Sequence, residues 1–285
     1  MDANSPVLPL SLIIGAVTAA LQEDLGRAGD ITSAATIPPD ATAVATFGAR
    51  KPGVIAGLPI AESTFRQIDP SVRFTPLVRD GDRVEAGAIV ARVEGNARAI
   101  LGGERVALNY LGRLSGIATA TAALVDRVRH TKAKILDTRK TTPGLRAFEK
   151  YAVRCGGGVN HRFGLYDAVL IKDNHIAVAG GVAPAIRKAR AAVGPGIRIE
   201  VETGTLAEVA EAIAEGPDTI MLDNMSLDDM RAAVALIAGR AVTEASGNVT
   251  LESVATIAGT GVDTISSGWI THSAPALDLG LDIRI

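Results

Sequence analysis

Hydrophobic and polar residues follow two different patterns along the chain, and the change falls near Gly103. Before it, short extended runs such as "TAVATFGARKPGVIAG" and "AIVARVEGNARAI" are separated by glycine-containing turns. Such alternation is typical of antiparallel strands. Two helices are predicted among them, at Ser11–Asp24 and Ile60–Ile68. The first hundred or so residues are therefore predicted to form an α+β domain.

After Gly103 the chain shows a long helical period and then a repeated strand–helix rhythm. Apolar residues at helical spacing across Gly103–His130 predict a helix that crosses from one domain to the other. Later apolar runs predict six strands: "KILDTRK", "DAVLIKDN", "RIEVET", "TIMLDN", "AVTEASG" and "DTISSG". Strands that alternate with helices form right-handed βαβ units and a parallel sheet.

Capping residues predict where several of these helices begin. "TLAEVAEAIAEG", "SLDDMRAAVALIAG" and "TLESVATIAGTG" open with Thr205, Ser226 and Thr250, whose hydroxyls can cap a helix. Another helix is expected to start at Pro143 and to end at the glycines after Cys155. Its cations repeat every four residues and predict a solvated basic face. They are Arg146, Lys150 and Arg154.

Polar residues follow every predicted strand of the second part. They are Asp137, Arg139, Lys140, Lys172, Asp173, Glu200, Glu202, Asp223, Asn224, Glu244, Ser246, Ser266 and Ser267. In a (β/α) barrel the carboxyl ends of the strands carry the active site, whereas a doubly wound sheet uses only a switch point. Six strands with polar ends favour an incomplete barrel that falls short of eight strands.

Charge and composition make any cationic site a local feature. The net charge is −2, the pI is near 6.1 and aromatic residues make up 3% of the chain, which argues against a nucleic-acid binder. A single cysteine fits a reducing compartment. The N-terminus lacks a basic signal-peptide region, and no apolar run is long enough to span a bilayer. These features predict a cytoplasmic protein.

Four cations lie at predicted strand ends or in glycine-flanked loops, where they could bind an anion. They are Arg139, Lys140, Arg162 and Lys172. Arginine offers a planar fork to a carboxylate or phosphate, and lysine a point charge. The alternative is that they pair internally with Glu200, Glu202 or Asp223.

Other motifs suggest a phosphate-bearing ligand. "EASGN" and "SSG" place small residues and backbone N–H groups before predicted helices, which suits a phosphate. Glu202 and Asp223 could hold hydroxyls or, through water, Mg²⁺. Cys155 has no evident base and is predicted to be structural. The four histidines lack zinc-site spacing, and neither a dinucleotide fingerprint nor a P-loop is present.

The segment "DTRKTTPGLRAFEKYAVRCGGGVNHRFGLYDAVLIKDNHI" closely resembles the signature of the quinolinate phosphoribosyltransferase family. "LQEDLGRAGDIT", "IEVET", "IMLDNMS", "EASGN" and "ISSGWITHSAPALDLGLDI" match the family in the same order. The resemblance implies an N-terminal α/β sandwich domain at 1–116 and an incomplete α/β barrel of six or seven strands at 117–274. The C-terminal tail, 275–285, is expected to pack back on the first domain.

The resemblance also implies the reaction and the assembly. The substrates would be quinolinate and 5-phosphoribosyl-1-pyrophosphate with Mg²⁺, and the products nicotinate mononucleotide, CO₂ and pyrophosphate, a step of NAD biosynthesis. No nucleic acid or membrane would take part. The enzyme would be a homodimer with shared active sites, with further assembly left open.

By the family's pattern, each group of residues would have its own role. Quinolinate would be bound by Thr138, Arg139, His161, Arg162, Lys172 and the partner subunit's Arg105. The catalytic set would be Lys140, Lys172, Glu202 and Asp223. Lys140 would face the phosphoribosyl donor, and the two acids would take ribose hydroxyls and the Mg²⁺ shell. The 5-phosphate would be cradled by Ser246, Gly247, Asn248, Ser266, Ser267 and Gly268.

Two rival interpretations stay open at this stage. A related pyridine-type phosphoribosyltransferase would share the fold and use a different acceptor. The segment "VRDGDRVEAGAIVARVEG" also resembles half of a biotinyl- or lipoyl-type carrier domain, but it contains no lysine for modification. The enzyme interpretation is therefore preferred.

Overall fold

The structure is a computed structural model that describes residues 7–284, and these residues fall into two compact units. Unit 1 contains the chain up to Ala122, the segment Ala147–Gly157 and the chain from Ala274 onward. Unit 2 contains Ala123–Arg146 and Gly158–Ser273. The segment Ala147–Gly157, expected within the barrel domain, thus clusters with unit 1. Residues 1–6 and 285 of the predicted domains lie outside the described residues.

Unit 1 is built on an antiparallel sheet in the order β12-β1-β5-β3, with a separate two-stranded pair, β2-β4. Its strands are β1 (Thr42–Ala49), β2 (Gly53–Val54), β3 (Arg73–Pro76), β4 (Arg83–Val84), β5 (Ile89–Asn96) and β12 (Leu279–Arg284). Its helices include α1 (Leu10–Leu25), α2 (Ile31–Thr36) and α3 (Leu58–Ile68). Both helices predicted for this part are confirmed as α1 and α3. The core includes a cluster of the rings of Phe47, Phe65 and Phe74, with centroids 5.9–6.0 Å apart.

The long predicted helix is confirmed as α4 (Ala97–Val128), but it begins six residues earlier than expected. The side chain of Asn96 accepts a hydrogen bond from Ala99 N at 3.1 Å, as a helix cap does. The C-terminal tail lies against this helix, since Leu277 N donates to Gly112 O at 2.9 Å. A Cβ at Gly116 would lie 2.1 Å from Pro275 O, so this close approach needs a glycine.

Unit 2 is built on six parallel strands in the order β6-β11-β10-β9-β8-β7. The strands are β6 (Lys134–Leu136), β7 (Val169–Ile171), β8 (Ile199–Thr203), β9 (Thr219–Asp223), β10 (Val242–Ser246) and β11 (Thr264–Ser266). Each lies within a predicted strand, which confirms the incomplete α/β barrel. Between β6 and β7 the chain adds one isolated parallel bridge, Leu136 with Val159.

Six helices accompany these strands along the chain after α5 (Arg146–Cys155). They are α6 (Asp173–Ala179), α7 (Val182–Ala192), α8 (Leu206–Glu215), α9 (Leu227–Ile237), α10 (Val254–Ala258) and α11 (Trp269–His272). Thr205 and Ser226 cap α8 and α9 as predicted. The helix expected to start at Thr250 is shorter than predicted, because α10 begins only at Val254. Thr250 Oγ1 accepts a hydrogen bond from Ser253 N at 3.2 Å in the turn that precedes it.

The helix α5 differs from its prediction in two ways. It begins at Arg146, because Leu145 N closes a turn on Thr142 O at 3.0 Å just before it. The predicted solvated face is also wrong for Lys150, whose relative exposure is 2%, although Arg154 is exposed.

One half-buried carboxylate ties the amino ends of two barrel strands together. Asp263, just before β11, accepts hydrogen bonds from Thr243 N at 2.9 Å and Thr243 Oγ1 at 2.7 Å. It also accepts from Lys132 Nζ at 2.6 Å. Although burial raises the pKa of Asp263, these hydrogen bonds outweigh it and lower the pKa below its ordinary value.

Candidate active site

A cavity of about 300 Å³ lies within unit 2 at the carboxyl ends of the strands. Its lining residues are Thr138, Arg139, Lys140, His161, Arg162, Leu170, Lys172, Met221, Glu244, Ser246 and Ser266. The structure therefore brings together all four cations singled out from the sequence. Leu170 and Met221 had no predicted role, and they add an apolar wall.

Two of the cavity's cations are guanidinium groups, those of Arg139 and Arg162. Arg139 Nε is buried and has no hydrogen-bond partner among the residues described. Burial and the charge of Arg139 lower the pKa of Arg162 from its ordinary value, with acids nearby acting in the opposite direction. Arg162 Nη1 donates to Ala168 O at 3.1 Å, which orients its side chain. Paired cations with an unsatisfied donor are suited to an anionic ligand.

Lys172 both lines the cavity and forms an ion pair. Its Nζ donates to Glu202 Oε2 at 2.5 Å, and the two side chains are 46% and 14% exposed. The internal pairing left open by the sequence therefore occurs for Lys172 with Glu202. Because the ammonium has three donors, it can still meet a ligand from the cavity side.

The ring of His161 lines the cavity, yet both of its nitrogens bond to protein groups. Nδ1 accepts a hydrogen bond from Arg162 N at 2.8 Å, so the proton resides on Nε2. Nε2 in turn lies 2.8 Å from Glu200 Oε2 and donates to it. The backbone N–H of His161 donates to Asp137 Oδ1 at 2.8 Å. A substrate carboxylate would have to displace one of these partners to reach the ring, which favours a supporting role.

Two buried acids accompany the cations: Glu200, which was considered only as an internal partner for them, and Glu244, which had no predicted role. Glu200 and Glu244 are 8% and 2% exposed, and the Oε1 atoms of both have no hydrogen-bond partner within residues 7–284. His161 Nε2 and the two carboxylates lie within 4.8 Å of one another. Strand periodicity could have identified them, because Glu200 and Glu244 precede Glu202 and Ser246 by two residues.

Burial also favours the protonated form of Glu244. It raises the pKa of Glu244 to about 7, and the charge of Glu200 adds to the shift. His161, the Ser266 hydroxyl and Lys172 oppose it. Glu200 has the imidazole as a hydrogen-bond donor, whereas Glu244 Oε2 lies 3.7 Å from the same nitrogen. Glu244 therefore keeps a proton for much of the time near neutral pH.

The residues expected to bind a phosphate surround the ends of β10 and β11. Ser246 and Ser266 line the cavity, and Gly247 follows with φ of +102°. A Cβ at Gly247 would lie 2.1 Å from Asn224 Oδ1. Asn248 Nδ2 donates to the same oxygen at 3.3 Å, so Asn224 organises this turn, a role the sequence did not predict.

Not every predicted phosphate ligand is equally available. Ser267 is buried, and its N–H already donates to Leu136 O at 3.0 Å. Gly268 lies close to Lys140, because a Cβ there would be 2.8 Å from the Cδ of that lysine. Lys140 is thus held beside the end of β11, while its own side chain is exposed.

The two acids expected near a metal ion end adjacent strands, β8 and β9. Glu202 is bound by Lys172, and Asp223 Oδ2 accepts from Asn224 Nδ2 at 2.7 Å. An oxygen donor set already engaged by protein donors fits a hydrated Mg²⁺ held through water or substrate. Arg105 lies on α4 in unit 1, with a side chain 63% exposed and an ion pair to Glu104 at 3.9 Å.

Cys155 does not take part in this site. It is buried, and burial together with Asp80 raises the pKa of its thiol to about 12, which fits the predicted structural role. Among the described residues, no helix combines the length and hydropathy needed to cross a bilayer.

Comparison with known proteins identifies relatives over nearly the whole length. Residues 30–115 and 117–282 match the family descriptions "Quinolinate phosphoribosyl transferase, N-terminal domain" and "C-terminal domain". The chain is 46% identical over 301 residues to "Quinolinate phosphoribosyltransferase [decarboxylating] 2a, mitochondrial" of Nicotiana tabacum, covering 99% of this chain and 85% of that protein. It is 47% identical over 263 residues to the "Probable nicotinate-nucleotide pyrophosphorylase [carboxylating]" of Bacillus subtilis, covering 92% and 90%.

Solved structures agree with these matches. The nicotinate-nucleotide pyrophosphorylase of Francisella tularensis superimposes with a TM-score of 0.94 at 41% identity, over 100% of both chains. NadC from Streptococcus pyogenes gives a TM-score of 0.93 at 44% identity, over 98% of this chain and 99% of that one. At such identity and coverage the similarity shows a shared family and not only a shared fold.

Proposed function

The chain belongs to the quinolinate phosphoribosyltransferase family, and we propose that its barrel cavity carries out the reaction named for that family. The enzyme transfers the phosphoribosyl group of 5-phosphoribosyl-1-pyrophosphate to quinolinate with decarboxylation. The products are nicotinate mononucleotide, CO₂ and pyrophosphate. The observation that supports this most directly is the buried Arg139 Nε, which has no hydrogen-bond partner in the described part of the chain and lies beside Arg162 in a cavity at the strand ends.

The cations bind and orient the acceptor. Quinolinate carries two adjacent carboxylates, and Arg139, Arg162 and Lys172 offer three separate donors to them, with Thr138 beside them. Leu170 and Met221 supply apolar contact for the pyridine ring. The His161 ring supports Arg162, because its Nδ1 accepts a hydrogen bond from the Arg162 backbone N–H. Holding the ring in one position converts a bimolecular attack into a nearly unimolecular one.

The donor is bound at the opposite wall, around Ser246 and Ser266. The backbone turn at Gly247 and Asn248, with Ser267 and Gly268, takes the 5-phosphate, and Lys140 offsets charge on the donor. The pyridine nitrogen attacks C1 of the ribose as the C1–pyrophosphate bond breaks. The resulting pyridinium ring withdraws electrons from C2, so its carboxylate leaves as CO₂. The chain supplies position and electrostatic stabilisation, and no covalent enzyme intermediate is needed.

Mg²⁺ would be held at Glu202 and Asp223 through water or substrate oxygens, because both carboxylates already have protein donors. When bound, such an ion offsets negative charge on a leaving pyrophosphate. Removal of divalent ions by a chelator should abolish turnover, and added Mg²⁺ should restore it.

We further propose a homodimer in which the partner subunit's Arg105 completes the quinolinate site. The exposed guanidinium with its long ion pair supports this, since it can reach another chain. Mixing Arg105→Ala with Lys172→Ala subunits tests it, because hybrid dimers would regain one intact site of two. About a quarter of wild-type activity is expected if subunits exchange freely. If no activity returns in demonstrated hybrids, the sharing of sites is refuted.

A cytoplasmic location is also proposed. The single cysteine supports it, because thiols stay reduced there. Cell fractionation with an antibody against the chain would check it.

The proposed reaction is tested with quinolinate labelled at the 2-carboxylate. The purified protein should release labelled CO₂ only when 5-phosphoribosyl-1-pyrophosphate is present. Nicotinate, which lacks that carboxylate, serves as the competing acceptor. Conversion of nicotinate without conversion of quinolinate would instead support a paralogue with a different acceptor.

A further inference from the structure

Decarboxylation at C2 leaves an electron pair that must receive a proton, and the cavity contains one acid suited to supply it. We propose that Glu244 is the catalytic acid that protonates C2 of the pyridinium ring. This inference rests on the proposed function, because it concerns a later step at the same site.

The position of Glu244 supports this role. It lines the cavity together with the cations expected to hold the carboxylates, on the same face of β10 as Ser246. Only 2% of it is exposed, and its Oε1 has no hydrogen-bond partner among the residues described. An ionised carboxylate there would repel a dicarboxylate substrate, whereas a carboxylic acid can donate to it.

The other groups that line the cavity are poorer proton donors. The guanidinium groups of Arg139 and Arg162 do not release protons under physiological conditions. The Nε2 proton of His161 is held by Glu200, and the ammonium groups of Lys140 and Lys172 are much weaker acids than a carboxylic acid. The hydroxyls of threonine and serine are far weaker acids. Glu244 is thus the lining group whose proton is both available and acidic.

The step balances in bonds, charge and protons. The bond between C2 and its carboxylate breaks, CO₂ leaves, and the bonding electron pair stays on C2. The Glu244 O–H bond then breaks, its proton forms the new C2–H bond, and Glu244 becomes a carboxylate. Lys172 and the Ser266 hydroxyl, which favour its charged form, stabilise that product.

A second cavity gives Glu244 a route to a new proton. This cavity, of about 350 Å³, lies at the amino ends of the strands and is lined by Glu244 together with Thr219, Val242 and Thr264. Val242 is 44% exposed, so this end of the barrel reaches the surface. Glu244 can therefore be reprotonated from the side opposite the substrate.

The test compares Glu244→Gln with the wild-type enzyme. Glutamine keeps the size and a hydrogen-bond donor but has no acidic proton. We expect kcat to fall by about 100-fold or more, as for loss of a general acid, with KM for quinolinate changed less than about threefold. Because an unprotonated C2 carbanion can recapture CO₂ before it leaves the site, the phosphoribosylated and still carboxylated adduct should accumulate on the enzyme in a single turnover. The control is Glu211→Gln, an exposed acid of α8, which should leave kcat unchanged.

Two results would overturn the proposal. One is a Glu244→Gln variant whose kcat stays within threefold of wild type, and the other is a raised KM with unchanged kcat, which would indicate binding alone. If that variant fails to fold, the wild-type pH profile decides. Glu244 faces Glu200, His161, Lys172 and Ser266, and its pKa near 7 predicts that kcat falls as pH rises above neutrality. A flat kcat from about pH 6 to 9 would refute the acid role.

Failure of this inference can be told from failure of the proposed function. If wild-type protein releases no labelled CO₂ from quinolinate, the proposed function fails. If the wild type and Glu244→Gln release it equally well, only the role of Glu244 fails.

Discussion

Substitution of Arg139 by alanine tests whether the cavity binds a carboxylate. Its guanidinium lines the cavity, and its buried Nε has no partner within the described part of the chain. The structure therefore assigns this donor to a ligand rather than to the fold. Because no hydrogen bond to Nε is lost, we expect the free energy of unfolding to change by less than about 0.5 kcal/mol.

The expected loss of function is much larger. Truncating one partner of a buried, hydrogen-bonded charge pair costs about 2–5 kcal/mol. At 1.4 kcal/mol per factor of ten, kcat/KM for quinolinate should fall about 30- to 4,000-fold. The kcat/KM of Arg139→Lys should lie between those of the wild type and Arg139→Ala, since lysine keeps the charge but lacks the planar fork.

Initial rates over a range of quinolinate concentrations, at saturating phosphoribosyl donor, give kcat/KM directly, and thermal unfolding reports stability. Arg154→Ala is the matched control, because Arg154 is an exposed arginine of α5 outside the cavity. If Arg139→Ala kept kcat/KM within about threefold of the control, the assignment of the cavity to the acceptor would be wrong.

Three further substitutions test other parts of the structure. Gly247→Ala forces a Cβ to 2.1 Å from Asn224 Oδ1, so KM for the phosphoribosyl donor should rise about tenfold or more while binding of quinolinate alone, by calorimetry, is retained. Asp263→Asn should lower the free energy of unfolding at pH 7 by about 1–3 kcal/mol in urea titrations. Because the pKa of Asp263 is lowered in the fold, the stabilisation by its carboxylate is fully present above the unfolded pKa near 3.8. The difference in free energy of unfolding between Asp263→Asn and the wild type should therefore shrink as pH falls below about 4. Tyr151→Phe removes the hydrogen bond to Asp80 Oδ2 at 2.5 Å and should cost about 1–3 kcal/mol by the same assay, and an unchanged midpoint would refute its contribution.

Local signals were sufficient to predict the barrel strands. Each strand is an apolar run followed by polar residues, and a parallel sheet covered on both faces requires that pattern. The polar residue at the end of each run then identified the cavity, including Lys172 and Ser246. The signal for the cap at Thr205 was equally local, because the Thr205 hydroxyl accepts from the Glu208 backbone N–H and the Glu208 carboxylate accepts from the Thr205 backbone N–H.

What could not be predicted depends on residues distant in sequence. Lys150 repeats with Arg146 and Arg154 like a surface residue, yet packing buries it. The Nε2 proton of His161 is donated to Glu200, which lies 39 residues away. Glu244 was identified as a strand-end residue, but its protonation depends on burial and on that same distant acid. A pattern within one segment contains no information on such neighbours.

The irregular segments that follow β6 and precede β7 have a consequence for how densely the site can be charged. Consecutive side chains of a β-strand point to opposite faces, so a strand can offer its barrel only every second residue. His161 and Arg162 are neighbours in sequence, yet both line the same cavity, from the irregular segment between β6 and β7. Thr138, Arg139 and Lys140 do so as well, just beyond β6. Regular strands could not place adjacent residues side by side in this way, so the irregular segments that follow β6 and precede β7 are what concentrate the cations of this cavity.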